Sequence, residues 1–119
     1  MKRDGFTLLE LLIVMVIIGI LTATAIPQYS AYKKRAYDTR AKQDLLSIAV
    51  AEEAYFLDWE TYLPCSNASC TALPGITKLS KGVSVQVQGD QSSFVASAYH
   101  SSGTGVTFTW NSEQGGLTQ

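Results

Sequence analysis

The sequence predicts an α+β fold: one long N-terminal α-helix packed against a small antiparallel β-sheet of about three strands. Three observations predict it. Residues 6–26 form a near-continuous apolar run that contains one carboxylate, Glu10. Beyond it, Tyr29, Tyr32, Ala36, Tyr37, Ala41, Leu45, Ile48, Ala49, Tyr55 and Phe56 recur mostly at three- and four-residue steps, the period of one helical face. Between residues 83 and 111, three short segments alternate apolar and polar side chains, as half-buried strands do. A meander with one apolar face needs a cover, and the helical stripe supplies one.

Five segments follow in order. Residues 1–5 (Met1, Lys2, Arg3, Asp4, Gly5) form a short charged leader, and residues 6–27 an apolar helix long enough to cross a bilayer as about 20 residues. Lys2 and Arg3 would hold the N-terminus in the cytoplasm, but Lys33, Lys34, Arg35, Arg40 and Lys42 lie beyond the other end. Counting cations therefore does not fix the orientation. An ordinary secretory signal, cleaved after Ala23-Thr24-Ala25, is the rival reading. Glu10 argues against it. A charge at the bilayer centre costs roughly 3 kcal/mol or more, and a disposable signal core gains nothing from carrying one.

Residues 28–59 continue as the amphipathic half of the long helix. Pro27 removes a helical hydrogen bond and is expected to kink it, with Gly19 as a second soft point. Residues 60–82 lack periodicity and contain Pro64, Pro74, Gly75 and Gly82, so they read as a helix-to-sheet loop. Cys65 and Cys70 lie in this loop. In an exported chain an even pair this close reads as a disulfide, worth about 2 kcal/mol on the chain-entropy model. A metal reading fails: the spacing is not Cys-x-x-Cys, and His100 is the lone histidine. Asn67-Ala68-Ser69 matches the glycosylation sequon, a pattern too short to assign a modification. Residues 83–119 hold the sheet and a polar tail. Val83, Val85 and Val87 share one face, as do Phe94, Ala96 and Ala98, and then Val106, Phe108 and Trp110. The tail from Asn111 is expected to fray.

The composition excludes several function classes. Net charge is −1, which suggests no dedicated nucleic-acid binder. The cations of residues 33–42 share their helix with Asp38, Asp44, Glu52 and Glu53, so a solvated mixed-charge surface is expected, with no nucleic-acid contact by this chain alone. No nucleophile motif and no Gly-rich phosphate loop is present, so neither an enzyme nor a cofactor is expected. His100 reads as a surface residue beside a turn.

The junction Gly5-Phe6-Thr7-Leu8-Leu9-Glu10, with the apolar run after it and Ala25-Ile26-Pro27-Gln28-Tyr29, resembles the prepilin signature of type IV pilins and type II secretion pseudopilins. The resemblance is dense over roughly the first third of the chain and extends to general layout beyond it. It implies a dedicated peptidase and methyltransferase that cuts between Gly5 and Phe6 and methylates the Phe6 amine. Glu10 would then pair with the Phe6 amine of a neighbouring copy, offsetting the cost of two charges in lipid. The stretch between Gly19 and Pro27 tends to lose its helix in filaments of this family.

The resemblance further implies an elongating structural subunit of a type IV pilus, a homo-oligomeric helical filament used for adhesion, motility or DNA uptake. Such a subunit waits in the inner membrane, single-pass with its N-terminus cytoplasmic, until the inner-membrane assembly machinery moves it into the extracellular pilus. One alternative is a pseudopilin of a type II secretion system. Major pseudopilins tend to bind calcium near the C-terminus, where the last nine residues here offer only Glu113. The other alternative is a bitopic membrane protein that never polymerises. Many major pilins close a C-terminal loop with their disulfide, whereas Cys65 and Cys70 lie between helix and sheet.

Overall fold

A computed structural model describes residues 5–118; Lys2, Arg3 and the rest of the leader before Gly5 lie outside the described residues. Helix α1 runs Leu8–Trp59, 52 residues without interruption at Gly19 or Pro27. By contacts the chain divides into two compact units, Met1–Lys33 and Lys34–Gln119. In the first unit every large apolar side chain from Leu8 to Ile26 is at least 50% exposed. That stretch of α1 buries nothing of its own. Thr22 and Thr24 donate their hydroxyls to the Ile18 and Leu21 carbonyls, which hides two polar groups along an otherwise apolar surface.

The second unit is a head with one core. Strands β1 (Cys65–Ser66), β2 (Val83–Gly89), β3 (Phe94–His100), β4 (Phe108–Asn111) and β5 (Gly116–Thr118) pair in sequence order as an antiparallel meander. Ala41, Leu45, Ile48, Ala49 and Ala51 of α1 pack against Val83, Val85 and Val87 of β2 and Phe94, Ala96 and Ala98 of β3. The register sets Val85 opposite Ala98 and Val87 opposite Ala96. Small side chains on β3 and on α1 let helix and sheet approach closely, so the larger Leu45, Ile48 and Phe94 fill the space that remains. Each of those three contributes about 1.5–3 kcal/mol by leaving water.

The architecture matches the expected α+β fold, with five strands in place of about three. The two extra strands are short. β1 sits inside the loop, followed by a 3-10 turn at Asn67–Ala72. β5 turns the tail back onto β4, setting Leu117 opposite Trp110, so the tail does not fray over 116–118. The Cys65–Cys70 disulfide is formed, with the Cα atoms 5.1 Å apart, and ties β1 to the 3-10 turn. Asn67 adopts a left-handed conformation (φ 47°) and accepts the Val85 N–H through its side-chain oxygen at 2.9 Å. The sequon asparagine thus fastens the disulfide loop to β2.

Candidate functional site

The start of α1 is built by two side chains. Thr7 precedes the first helical residue, and its hydroxyl accepts the Glu10 N–H at 3.1 Å. Glu10 reaches back, and its Oε2 accepts the Thr7 N–H at 3.2 Å. This reciprocal capping box satisfies two of the donors that a helix start leaves open. In lipid, where no water can serve them, those donors would otherwise carry a cost of several kcal/mol each. Glu10 is exposed, and its Oε1 accepts no hydrogen bond among the described residues. Phe6 is 93% exposed and, with Glu10, Leu11, Ile13 and Val14, borders one apolar hollow. Phe6, which precedes the helix, and Glu10, in its first turn, thus border the same hollow. Apolar periodicity passes over Thr7, although the Thr-x-x-Glu pattern ahead of an apolar run is the signature of this box.

Gly19 and Pro27 both lie inside the continuous helix. A Cβ at Gly19 would meet nothing within 4 Å, so no packing inside this chain requires glycine there.

On the head, three acidic residues of α1, Asp38, Asp44 and Glu52, are engaged by loops rather than solvated, while Glu53 and Asp58 are exposed. Asp38 accepts the Thr104 N–H at 3.1 Å and the Thr104 hydroxyl at 2.5 Å. Asp44 holds Ser80 through its N–H at 2.8 Å and its hydroxyl at 3.0 Å. Glu52 is fully buried and accepts the Leu63 N–H at 2.8 Å, while its Oε1 has no partner. Burial pushes the Glu52 carboxyl up to about 7, and the neighbouring Glu53 adds to the shift against the opposing pull of the Leu63 N–H. The Tyr62 hydroxyl leans on Glu53 at 3.3 Å, and burial, then Glu53, raises its pKa as well. These carboxylates hold three loops onto the helix. Glu52 continues the stripe Ala41, Leu45, Ile48 at a four-residue step, a signal that periodicity alone carries.

His100 is buried as well, not a surface residue beside a turn. Its ring stacks on Tyr37 with centroids 4.4 Å apart, and its Nδ1 accepts the Ser102 N–H at 2.9 Å. That bond leaves the proton on Nε2, which is buried without a partner. The imidazole edge closes on Gly82, where a Cβ would fall 2.9 Å from Nε2.

Comparison with known proteins extends this picture. The prokaryotic N-terminal methylation motif matches residues 1–26. Over 104 residues the chain is 37% identical to the type IV wide pilus major component PilA4 of Thermus thermophilus, covering 87% of this chain and 78% of that protein. It is 40% identical over 66 residues to the type IV major pilin protein PilA of Myxococcus xanthus, spanning only 30% of that protein's length. It is also 44% identical over 57 residues to the type II secretion system core protein G of Pseudomonas aeruginosa, 40% of that protein's length.

Proposed function

Because this chain belongs to the type IV pilin and pseudopilin family, we propose that it is an elongating structural subunit of a type IV pilus. The observation that carries this reading is the bare apolar stretch of α1. It is long and apolar enough to cross a membrane, and no part of its apolar window is buried inside the chain. A surface of that kind is stable only in lipid or against other copies of itself.

The sequence of events follows. Residues 1–5 are the leader and residues 6–27 the anchor, held in the inner membrane with the N-terminus cytoplasmic. The prepilin peptidase cuts between Gly5 and Phe6 and methylates the new amine. Cleavage leaves an ammonium at Phe6, one residue before the Thr7 cap, with Glu10 in the first turn of α1. The capping box uses Oε2 of Glu10 and leaves Oε1 free to accept from the Phe6 amine of a neighbouring copy. Two charges then neutralise each other in a medium that penalises each alone. The assembly machinery lifts the subunit out of the bilayer, residues 19–27 loosen at Gly19 and Pro27, and the heads line the outside of the filament. The role is structural rather than catalytic.

Mass spectrometry of the N-terminal peptide in material sheared from intact cells tests this reading. A methylated Phe6 terminus in that fraction is the expected result. A terminus at Ile26 would overturn the anchor, and an unprocessed chain confined to the membrane would favour a bitopic protein. A second reading, a type II secretion pseudopilin, draws on the 44% identity to core protein G. It predicts the processed peptide in the membrane pellet only. The pilus reading is preferred because the similarity to the wide-pilus component extends over 104 residues, against 57 to 72 for the core protein G relatives.

A further inference from the structure

The two ends of the head carry opposite, uncompensated charge. At the far end of α1, the last turn has no basic residue, while Asp58 and Glu60 are exposed there. Negative charge at a helix C-terminus opposes the helix dipole. Glu60 is doubly unfavourable. Its N–H closes the helix onto the Phe56 carbonyl, and its backbone is left-handed (φ 53°), a position where helices usually place glycine. A β-carbon and a negative charge are both kept where stability of the single subunit would favour neither. Backbone strain of this kind collects at functional positions. Beside these acids, Leu57 is 83% and Trp59 66% exposed, an apolar pair that the head leaves uncovered.

At the opposite end, the carboxylates that would pair with the cations are committed elsewhere, Asp38 to Thr104 and Asp44 to Ser80. Arg40 and Lys81 are exposed and border a cleft of about 290 Å³, walled by Tyr37 and His100 and floored at Gly82. Every polar side chain lining this cleft is able to donate a hydrogen bond, and no carboxylate lines it. Arg40 lies 5.4 Å from the Tyr37 ring centroid, so the aromatic wall is already held beneath a cation. The unpartnered Nε2 of His100 adds a further donor behind that wall.

We propose that the acidic end of α1, residues 57–60, of one copy docks against the Tyr37–Arg40–Lys81–His100 cleft of the next copy, with Asp58 and Glu60 against Arg40 and Lys81 and Trp59 against the aromatic wall. The proposal rests on the polymer reading above and adds the head surfaces through which copies meet. The two surfaces are different, so the contact is heterologous and cannot close a two-fold dimer; repeated with the non-closing rotation of a filament it builds an open helical array. Charge complementarity selects the register, and the exposed Leu57 and Trp59 supply the area that a charge pair alone lacks.

Paired cysteines test the contact in the full chain, expressed in cells that assemble the filament. Glu60→Cys with Lys81→Cys, keeping the native disulfide, is expected to give a ladder of covalent multimers in sheared filaments after mild oxidation. Each single variant should give no ladder. Filaments of wild-type abundance without a ladder would overturn the proposal. Charge reversal is the second arm. Arg40→Glu with Lys81→Glu should lower the sheared yield roughly tenfold, and Asp58→Lys with Glu60→Lys should do the same. All four substitutions together should restore the yield. Reversed variants that assemble normally, or a fourfold variant no better than either pair, would also overturn it. If the unsubstituted chain itself forms no filament, the polymer reading fails and takes this contact with it; failure of the variants alone leaves that reading standing.

Discussion

The two halves of α1 share one backbone and put their apolar side chains to opposite uses. From Leu8 to Ile26 the helix is apolar all round and buries nothing within the chain. From Ala41 to Glu52 it is amphipathic, and the stripe Ala41, Leu45, Ile48, Ala49 is sealed by β2 and β3. The hydrophobic effect is proportional to the area removed from water. The head collects that free energy within one molecule, whereas the first half can collect it only from lipid or from other copies. Stability of the head and assembly of the polymer should therefore be separable by substitution.

The largest separation is expected for Glu10→Ala. Sheared filament should fall to background while the membrane pool and the melting of the head stay unchanged, read by immunoblot of both fractions and circular dichroism in detergent. Normal filament yield would sink the Phe6–Glu10 pairing. Next comes the reverse case. Phe94→Ala opens a cavity in the head core and should cost about 3–5 kcal/mol, whereas Leu12→Ala, on the bare half, should leave the head's denaturation midpoint unmoved. Equal effects from the two would erase the distinction between the halves.

A pH titration sharpens the comparison inside the head. Glu52 is raised from 4.5 to about 7 in the folded state, so the fold prefers its protonated form. The associated stability is fully present below 4.5 and is lost as pH rises through 7, on the order of 3 kcal/mol in all. Denaturant melts of the purified chain between pH 4 and 8 should show this decline. Glu52→Gln, which keeps an acceptor for the Leu63 N–H, should flatten the curve. A wild-type profile rising across that window would contradict the assignment. The smallest effect belongs to the disulfide. Cys65→Ser with Cys70→Ser should cost the head about 2 kcal/mol, because the closed loop is short, and should leave membrane insertion unaffected in a carbonate-extraction assay.

Legibility in the sequence follows the same division. The bare half was readable because an apolar run with one carboxylate is a statement about composition, which needs no partner to interpret. The valines of β2 and the alternation of β3 were readable because each strand's pattern is local. β5 escaped because Gly116, Leu117 and Thr118 are too few to show a period; only pairing with β4 orders them. The roles of Asp38 and Asp44 are not legible in the sequence, because their partners lie 66 and 36 residues away and no spacing rule connects helix acids to distant loop N–H groups. His100 reads from sequence as a surface residue for the same reason: Tyr37, which stacks on it, is on another element.

The apolar run of residues 6–26 with Glu10 in the first turn of its helix, and the meander that follows, are legible from the chain alone, since they depend on composition or on periods of two and 3.6 residues. Which charges are engaged and which remain available depends on the packing of distant segments. Asp38, Asp44 and Glu52 are consumed in holding loops, while Arg40, Lys81, Asp58 and Glu60 stay exposed. A carboxylate's use depends on what lies within about 3 Å of it, and that distance is set by the packing of helix on sheet.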